Sequence, residues 1–144
     1  MITIREMNLK DYEEIKNILQ IEFDDFWTPS ILKSELESQN SKYIVAILEN
    51  VVVGFAGIII SVDDAEITNI VTRKSYRKKG IGKLLLDKLI DMSKEIGKNE
   101  ISLEVNEKNI PAINLYKSSN FEQVGLRKKY YNGQDNAIIM TKKI

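Results

Sequence analysis

The chain has 144 residues, 43% of them hydrophobic and 29% charged, which is the composition of an ordinary folded domain and not of a disordered segment. Lysine plus arginine equals aspartate plus glutamate, 21 each, so no net field draws the molecule to nucleic acid or to an anionic membrane surface. The absence of both cysteine and histidine excludes disulfides, thiolate nucleophiles, Ser-His-Asp chemistry and most zinc sites.

One domain over residues 1–144, with one core, is expected from this length. Chemistry falls to carboxylate, hydroxyl, amine and backbone groups, and no metal site is expected. Met1-Ile2-Thr3-Ile4-Arg5 lacks the long apolar core of a signal peptide, and no apolar run approaches the roughly 18 residues of a membrane span. A cytoplasmic protein is the expectation.

Ile2 and Ile4 alternate with polar residues as in a first strand. Asp11, three residues before Glu14, reads as the start of a helix carrying Tyr12, Ile15, Ile18 and Leu19 at helical spacing. Thr28-Pro29 reads as a second helix start, a cap followed by proline in the first turn, with Ile31, Leu32 and Leu36 on the buried stripe. Tyr43 to Leu48, a turn at Glu49-Asn50 and Val51 to Ile60 form a hairpin interrupted by Gly54 and Gly57, and Ala65 to Thr72 is a further strand.

From Ile81 to Ile96, Leu84, Leu85, Leu89, Met92 and Ile96 recur at intervals of three and four, and Gly97 follows as a stop. Ile101, Leu103 and Val105 then alternate with Ser102 and Glu104, giving a strand with a carboxylate on its polar face. Asn109 caps a helix running to about Ser119, and Pro111 is tolerated in its first turn. Two last strands, Phe121 to Tyr130 and Ala137 to Thr141, flank the turn signal Asn132-Gly133. The order β-α-α-β-β-β-α-β-α-β-β implies a mixed sheet with helices on both faces.

Between the strand ending near Thr72 and the helix from Ile81 lies Arg77-Lys78-Lys79-Gly80-Ile81-Gly82-Lys83. A glycine-bearing loop that feeds a helix N-terminus offers free N–H groups at the positive end of the dipole, an anion site that fits a pyrophosphate. Arg73, Lys74, Arg77, Lys78, Lys79 and Lys83 add positive charge; the alternative is a solvated basic face. The segment lacks the third glycine of a dinucleotide fingerprint and the upstream glycine and Ser/Thr of a nucleotide P-loop.

Arg77-x-x-Gly80-x-Gly82 resembles the acetyl-CoA signature of the GNAT N-acetyltransferases, and the element order matches that family. The resemblance implies an α/β (α+β) fold, a mixed, mostly antiparallel sheet of about seven strands flanked by about four helices. It also implies acetyl-CoA as co-substrate, its pantetheine between two splayed parallel strands and its pyrophosphate at the loop amides. Asn69-Ile70-Val71, Leu103-Glu104-Val105, Asn109, Ala112-Ile113-x-Leu115-Tyr116, Phe121, Tyr130-Tyr131 and Ala137-Ile138-Ile139-Met140 are similar to the bacterial ribosomal-protein-alanine N-acetyltransferases. Phe26-Trp27-Thr28 falls where that branch carries an aromatic and a cap; Arg73-Lys74 and Asn106 depart from it.

This likeness implies roles. An α-amine with a pKa near 8 is mostly protonated at neutral pH and needs a base; the branch's glutamate corresponds to Glu104, which is otherwise a solvated face residue. Tyr116 matches the proton donor to the leaving thiolate, thiol and phenol acidities lying near each other, and is otherwise a core tyrosine. The family holds the oxyanion on amides of the fourth strand, here Ile70, Val71 and Thr72, freed by a bulge. Arg77 to Lys83, with Ile81 and Gly82 between, hold the pyrophosphate, and Asn109 either bonds the pantetheine or simply caps its helix. Trp27 and Tyr130-Tyr131 either wall the acceptor groove or pack.

The implied acceptor is the N-terminal amine of a protein, a ribosomal protein by the branch's name, with neither nucleic acid nor membrane as partner. Two alternatives stay open: a GNAT enzyme for another amine (lysine side chain, polyamine, aminoglycoside), and a non-catalytic acyl-CoA sensing module.

Overall fold

The computed structural model describes residues 1–23, 28–131 and 133–144. Phe26, Trp27 and Asn132, to which expectations were attached, lie outside the described residues.

Among the described residues the elements run strand β1 (Thr3–Glu6), helix α1 (Leu9–Ile15), a π-helical turn (Leu19–Phe23), α2 (Pro29–Glu37), β2 (Ser41–Leu48), β3 (Val51–Ile60), β4 (Ala65–Thr72), a 3₁₀ turn (Lys74–Tyr76), α3 (Ile81–Glu95), β5 (Glu100–Asn106), α4 (Ile110–Ser118), β6 (Glu122–Tyr131) and β7 (Asp135–Lys143). The strands form one seven-stranded sheet in the order β1-β2-β3-β4-β5-β7-β6. The β4–β5 pair is parallel and the other neighbours are antiparallel, so the mixed, mostly antiparallel expectation holds.

Period-two alternation sends side chains of one strand into two cores. Ile44 and Ala46 of β2 enter the cluster shared with α3 and α4, whereas Tyr43 and Val45 enter the one shared with α1 and α2. Helix α3 buries Ile81, Leu85, Leu86, Leu89 and Ile90. Each such side chain contributes about 1.5–3 kcal/mol on burial, which fixes the helix on the sheet and its N-terminus beside the end of β4.

The start of α1 differs from expectation. Asn8 is the cap, and Asp11 is the third helical residue of a reciprocal capping box, Asn8 Oδ1 accepting from the Asp11 N–H (3.0 Å) and Asp11 Oδ2 from the Asn8 N–H (2.9 Å). Asp11 is also bound bidentately by Arg5 at 2.7 Å per contact. Burial alone would raise its pKa, but these donors outweigh burial and hold the carboxyl below its ordinary value. The last strand is also longer than the alternation of apolar residues implies, because pairing continues past the apolar positions to Tyr131↔Asp135 and Glu100↔Lys143, whereas β6 keeps its expected length one residue further on.

Candidate active site

The parallel pair opens where the chemistry was expected. Pairing between β4 and β5 runs Ala65↔Ile101, Glu66↔Ser102 and Ile67↔Leu103 and stops there, although β4 continues to Thr72 and β5 to Asn106. On the other side of β4 the register with β3 shifts, Gly57 facing Asn69 and Ile58 facing Ile67, so Thr68 is an extra residue. A bulge of this kind frees backbone groups from the ladder. Just beyond it the Ile70 N–H donates to the side-chain Oδ1 of its neighbour Asn69 at 2.8 Å. Ile70, Val71 and Thr72 therefore lie on the part of β4 that has parted from β5.

The loop after β4 ends in an unusual backbone. Lys78 (φ 65°) and Gly80 (φ 78°) both take the left-handed region, and Gly80 opens α3 with no side-chain cap on the helix. A capping side chain normally satisfies one of the first-turn N–H groups; here Ile81, Gly82 and Lys83 present theirs at the positive end of a helix of 15 residues. Left-handed turns ahead of a helix are also the geometry that turns successive amides into a concave anion nest.

The basic residues around this loop divide into two groups. Arg73 is committed to the fold, contrary to its expected place among the charges around the anion. Its Nε meets Glu22 Oε2 at 3.0 Å, one η-nitrogen reaches the Val52 carbonyl at 3.3 Å, and its guanidinium lies over the Phe23 ring at 5.6 Å. Arg77 donates to the Phe23 carbonyl at 3.3 Å. Lys83 bridges Asp87 Oδ1 (2.7 Å) and Ser119 Oγ (3.1 Å), tying the start of α3 to the end of α4. Lys79 sits over the Tyr76 ring at 6.0 Å.

Glu104 stands on β5 one residue beyond its last pair with β4, and Tyr116 is on the buried side of α4. The Glu104 side chain is 19% exposed, and Oε1 receives Arg127 Nε at 2.9 Å. Tyr116 is 6% exposed and packs on Phe121 with ring centroids 5.7 Å apart. Its hydroxyl has no hydrogen-bond partner among the described residues, an uncommon state for a buried hydroxyl and one that calls for an explanation. Burial, reinforced by nearby Tyr131, pushes the phenol up to about 12, further from thiol acidity than an ordinary tyrosine. Asn109 caps α4 through its Oδ1 to the Ala112 N–H (3.3 Å), so the plain capping role is present.

Two residues, Arg127 and Glu66, join this group without having been singled out in the sequence, and Tyr131, which was, lies beside them. Arg127 pairs with Glu104, and Glu66 of β4 faces the same carboxylate. Burial raises the Glu66 pKa, and the Glu104 and Asp64 charges push the same way, with Arg127 opposing. Tyr131 is raised by burial and by Glu104 and Tyr130. Tyr130 and Tyr131 meet edge to face at 5.1 Å, and the Arg127 guanidinium lies 5.3 Å over the Tyr130 ring. An irregular stretch of β6 between Arg127 and Tyr131 sets them there, braced by Lys129 N–H to Asn136 Oδ1 (2.9 Å) and Asn136 N–H to Glu107 Oε2 (2.7 Å). No local pattern marks Arg127 or Glu66, since each acquires its neighbour only through strand order.

Among the described residues no group of three or more carboxylates gathers as a metal cage would, and no helix is long and apolar enough to cross a membrane.

Comparison with known proteins agrees with this architecture. The chain is 35% identical over 146 residues to the [ribosomal protein bS18]-alanine N-acetyltransferase of Haemophilus influenzae, covering 97% of each chain. It is 35% identical over 112 residues to the N-alpha-acetyltransferase RimI of Mycobacterium tuberculosis, covering 75% of this chain and 69% of that one. Among solved structures, the ribosomal-protein-S18-alanine N-acetyltransferase of Escherichia coli superposes with a TM-score of 0.90 at 29% identity, covering 100% of this chain and 94% of that one. Ard1 of Thermoplasma volcanium does so at 0.86 and 28%, covering 99% and 97%. The sequence profile of the acetyltransferase (GNAT) family matches residues 12–121, and with the splayed parallel strands and the uncapped glycine loop already in view, the chain belongs to that family.

Proposed function

We propose that this GNAT acetyltransferase, a single domain over residues 1–144, transfers acetyl from acetyl-CoA to the N-terminal α-amine of a protein in the cytoplasm. A ribosomal protein is the acceptor we favour, because the Haemophilus influenzae relative over almost the whole chain is named for ribosomal protein bS18. The reading is supported by Glu104, a largely buried carboxylate on the stretch of β5 that no longer pairs with β4, and by Tyr116, a buried phenol on the helix that follows β5.

Acetyl-CoA supplies an activated thioester. The backbone amides of Arg77, Lys78, Lys79, Gly80, Ile81, Gly82 and Lys83 suit its pyrophosphate, because the loop takes left-handed turns and α3 starts without a side-chain cap. Ile70, Val71 and Thr72 line the gap the pantetheine would occupy, and the Ile70 and Thr72 amides, which face away from β3, suit the carbonyl oxygen. Asn69 Oδ1 on the Ile70 N–H shows which kind of acceptor atom that amide takes. Asn109, at the start of α4, is the further contact to the pantetheine arm.

Glu104 removes the proton from the acceptor ammonium, leaving the amine lone pair free to form the N–C bond. As the C–S bond breaks, Tyr116 hands its proton to the sulfur; the nitrogen of the adduct loses its second proton to solvent, solvent returns one to Tyr116, and Glu104 releases its own. The balance is one acetyl group moved, one thiol formed and one proton released. The high pKa of Tyr116 keeps it a phenol at any working pH, so it is always loaded; the cost is an uphill transfer, which requires the sulfur to be held against it. No metal enters this scheme. Peptides beginning with Ala, Ser, Gly or Met, offered with acetyl-CoA, test it: acetylation of the free α-amine supports the reading, and no turnover on any of them removes it.

A further inference from the structure

The β4 bulge is braced from a strand that does not touch it. Tyr43 of β2 lies opposite Gly57 of β3, and its ring covers that glycine so closely that a Cβ at position 57 would meet Tyr43 Cε2 and Cζ at 2.4 Å. The ring therefore crosses β3, and Oη comes within 3.0 Å of Thr68 Oγ1. Thr68 is the residue that β4 carries in excess, and it precedes Asn69 and Ile70, whose side-chain oxygen and N–H meet at 2.8 Å.

This arrangement is more specific than packing needs. Tyr43 is 4% exposed in an apolar cluster with Val45, Phe55 and Val71, which a phenylalanine ring would fill equally well. Only a phenol in that place also bonds the bulge, and only glycine at 57 lets the ring pass. A bulge is a device for aiming backbone groups, and a fixed hydrogen bond to its extra residue holds the aim.

We infer that Tyr43 is a positioning residue for acyl transfer: its hydroxyl, acting through Thr68, fixes the β4 bulge and thereby directs the Ile70 and Thr72 amides, which face away from β3, at the acyl oxygen of bound acetyl-CoA. This rests on the reading of those amides given above, but not on the identity of the acceptor. A misdirected donor costs catalysis far more than it costs binding, because the amides act on the oxygen as charge develops there.

The experiment is infrared spectroscopy of acetyl-CoA, isotope-labelled at the acetyl carbonyl, bound to the wild type, Tyr43→Phe, Thr68→Val and Thr68→Ser. Turnover on an N-terminal alanine peptide and thermal midpoints are measured alongside. The wild-type band should lie below that of free acetyl-CoA, Tyr43→Phe and Thr68→Val should both move it back towards the free value, and Thr68→Ser, which keeps the hydroxyl, should hold it. Turnover should fall by roughly 10- to 100-fold in the first two variants with acetyl-CoA affinity nearly unchanged, and the double variant should fall no further. A wild-type band in both hydroxyl-deleted variants would overturn the inference, as would a turnover loss that Thr68→Ser fails to rescue. If the wild type acetylates no peptide, the acceptor reading fails while the band comparison still decides the role of Tyr43.

Discussion

Arg127 reaches over the whole width of β7 to place its Nε 2.9 Å from Glu104 Oε1, since Arg127 pairs with Ala137 and Glu104 with Ile139 on that intervening strand. A cation thus stands on the carboxylate proposed above to receive the acceptor ammonium. Arg127 is 57% exposed, and partly exposed pairs are worth about 0.2–1 kcal/mol, so an incoming ammonium can displace it. Arg127→Gln should lower the acceptor KM by up to about fivefold, read from steady-state kinetics at saturating acetyl-CoA. A raised KM would mean that Arg127 binds the acceptor instead of competing with it.

Glu104→Gln removes the proposed base but keeps the shape of the side chain. Turnover should fall by roughly 10²–10⁴-fold at neutral pH, with acetyl-CoA affinity nearly intact. The loss should shrink as pH rises towards the α-amine pKa near 8, where the acceptor deprotonates without help. A pH-independent loss would point to a positioning role.

Tyr116→Phe should separate activity from stability. No hydrogen bond among the described residues holds the Tyr116 hydroxyl, so its removal breaks none of them and should leave the thermal midpoint nearly unchanged while turnover drops. The titration has a defined sign: with the folded pKa raised to about 12, the stability tied to the neutral phenol is complete below about 10, the unfolded value, and is lost as pH climbs from there through 12. Ultraviolet difference titration of the wild type against the variant should show one tyrosine ionising in that upper range. A destabilised Tyr116→Phe with full turnover would make it an ordinary core tyrosine.

Two glycines of the loop should respond differently. A Cβ at Gly80 meets nothing within 4 Å, so Gly80→Ala suffers only the left-handed backbone and should lose about 1–2 kcal/mol of stability, read from denaturant unfolding. At Gly82, a Cβ would touch Leu115 at an ordinary 3.4 Å, so Gly82→Val should fold while its bulk keeps a pyrophosphate off the helix amides. Calorimetry with acetyl-CoA should show strongly weakened binding for Gly82→Val; unchanged affinity would remove the loop from the account.

Local patterns carried much of this architecture. The apolar period of α3, Gly97 after it and Arg77-x-x-Gly80-x-Gly82 before it are properties of neighbouring residues, and the structure holds them nearly as written. The start of α1 was ambiguous because Asn8 and Asp11 each stand three residues before an acidic residue, and only the capping box chooses between them. What sequence could not supply depends on register or on strand order. The extra residue at Thr68 exists only relative to β3, Arg127 meets Glu104 only because β7 inserts between β5 and β6, and the solitary hydroxyl of Tyr116 is a property of everything packed around it.

The acceptor proposed for this enzyme is an N-terminal α-amine. One peptide with a free N-terminal alanine and an internal lysine, incubated with the protein and acetyl-CoA and mapped by fragmentation mass spectrometry, tests it in a single measurement. One acetyl group is expected, on the alanine nitrogen, and none on a companion peptide whose N-terminus is blocked. Acetylation of the lysine side chain in either peptide, with the α-amine left free, would contradict it.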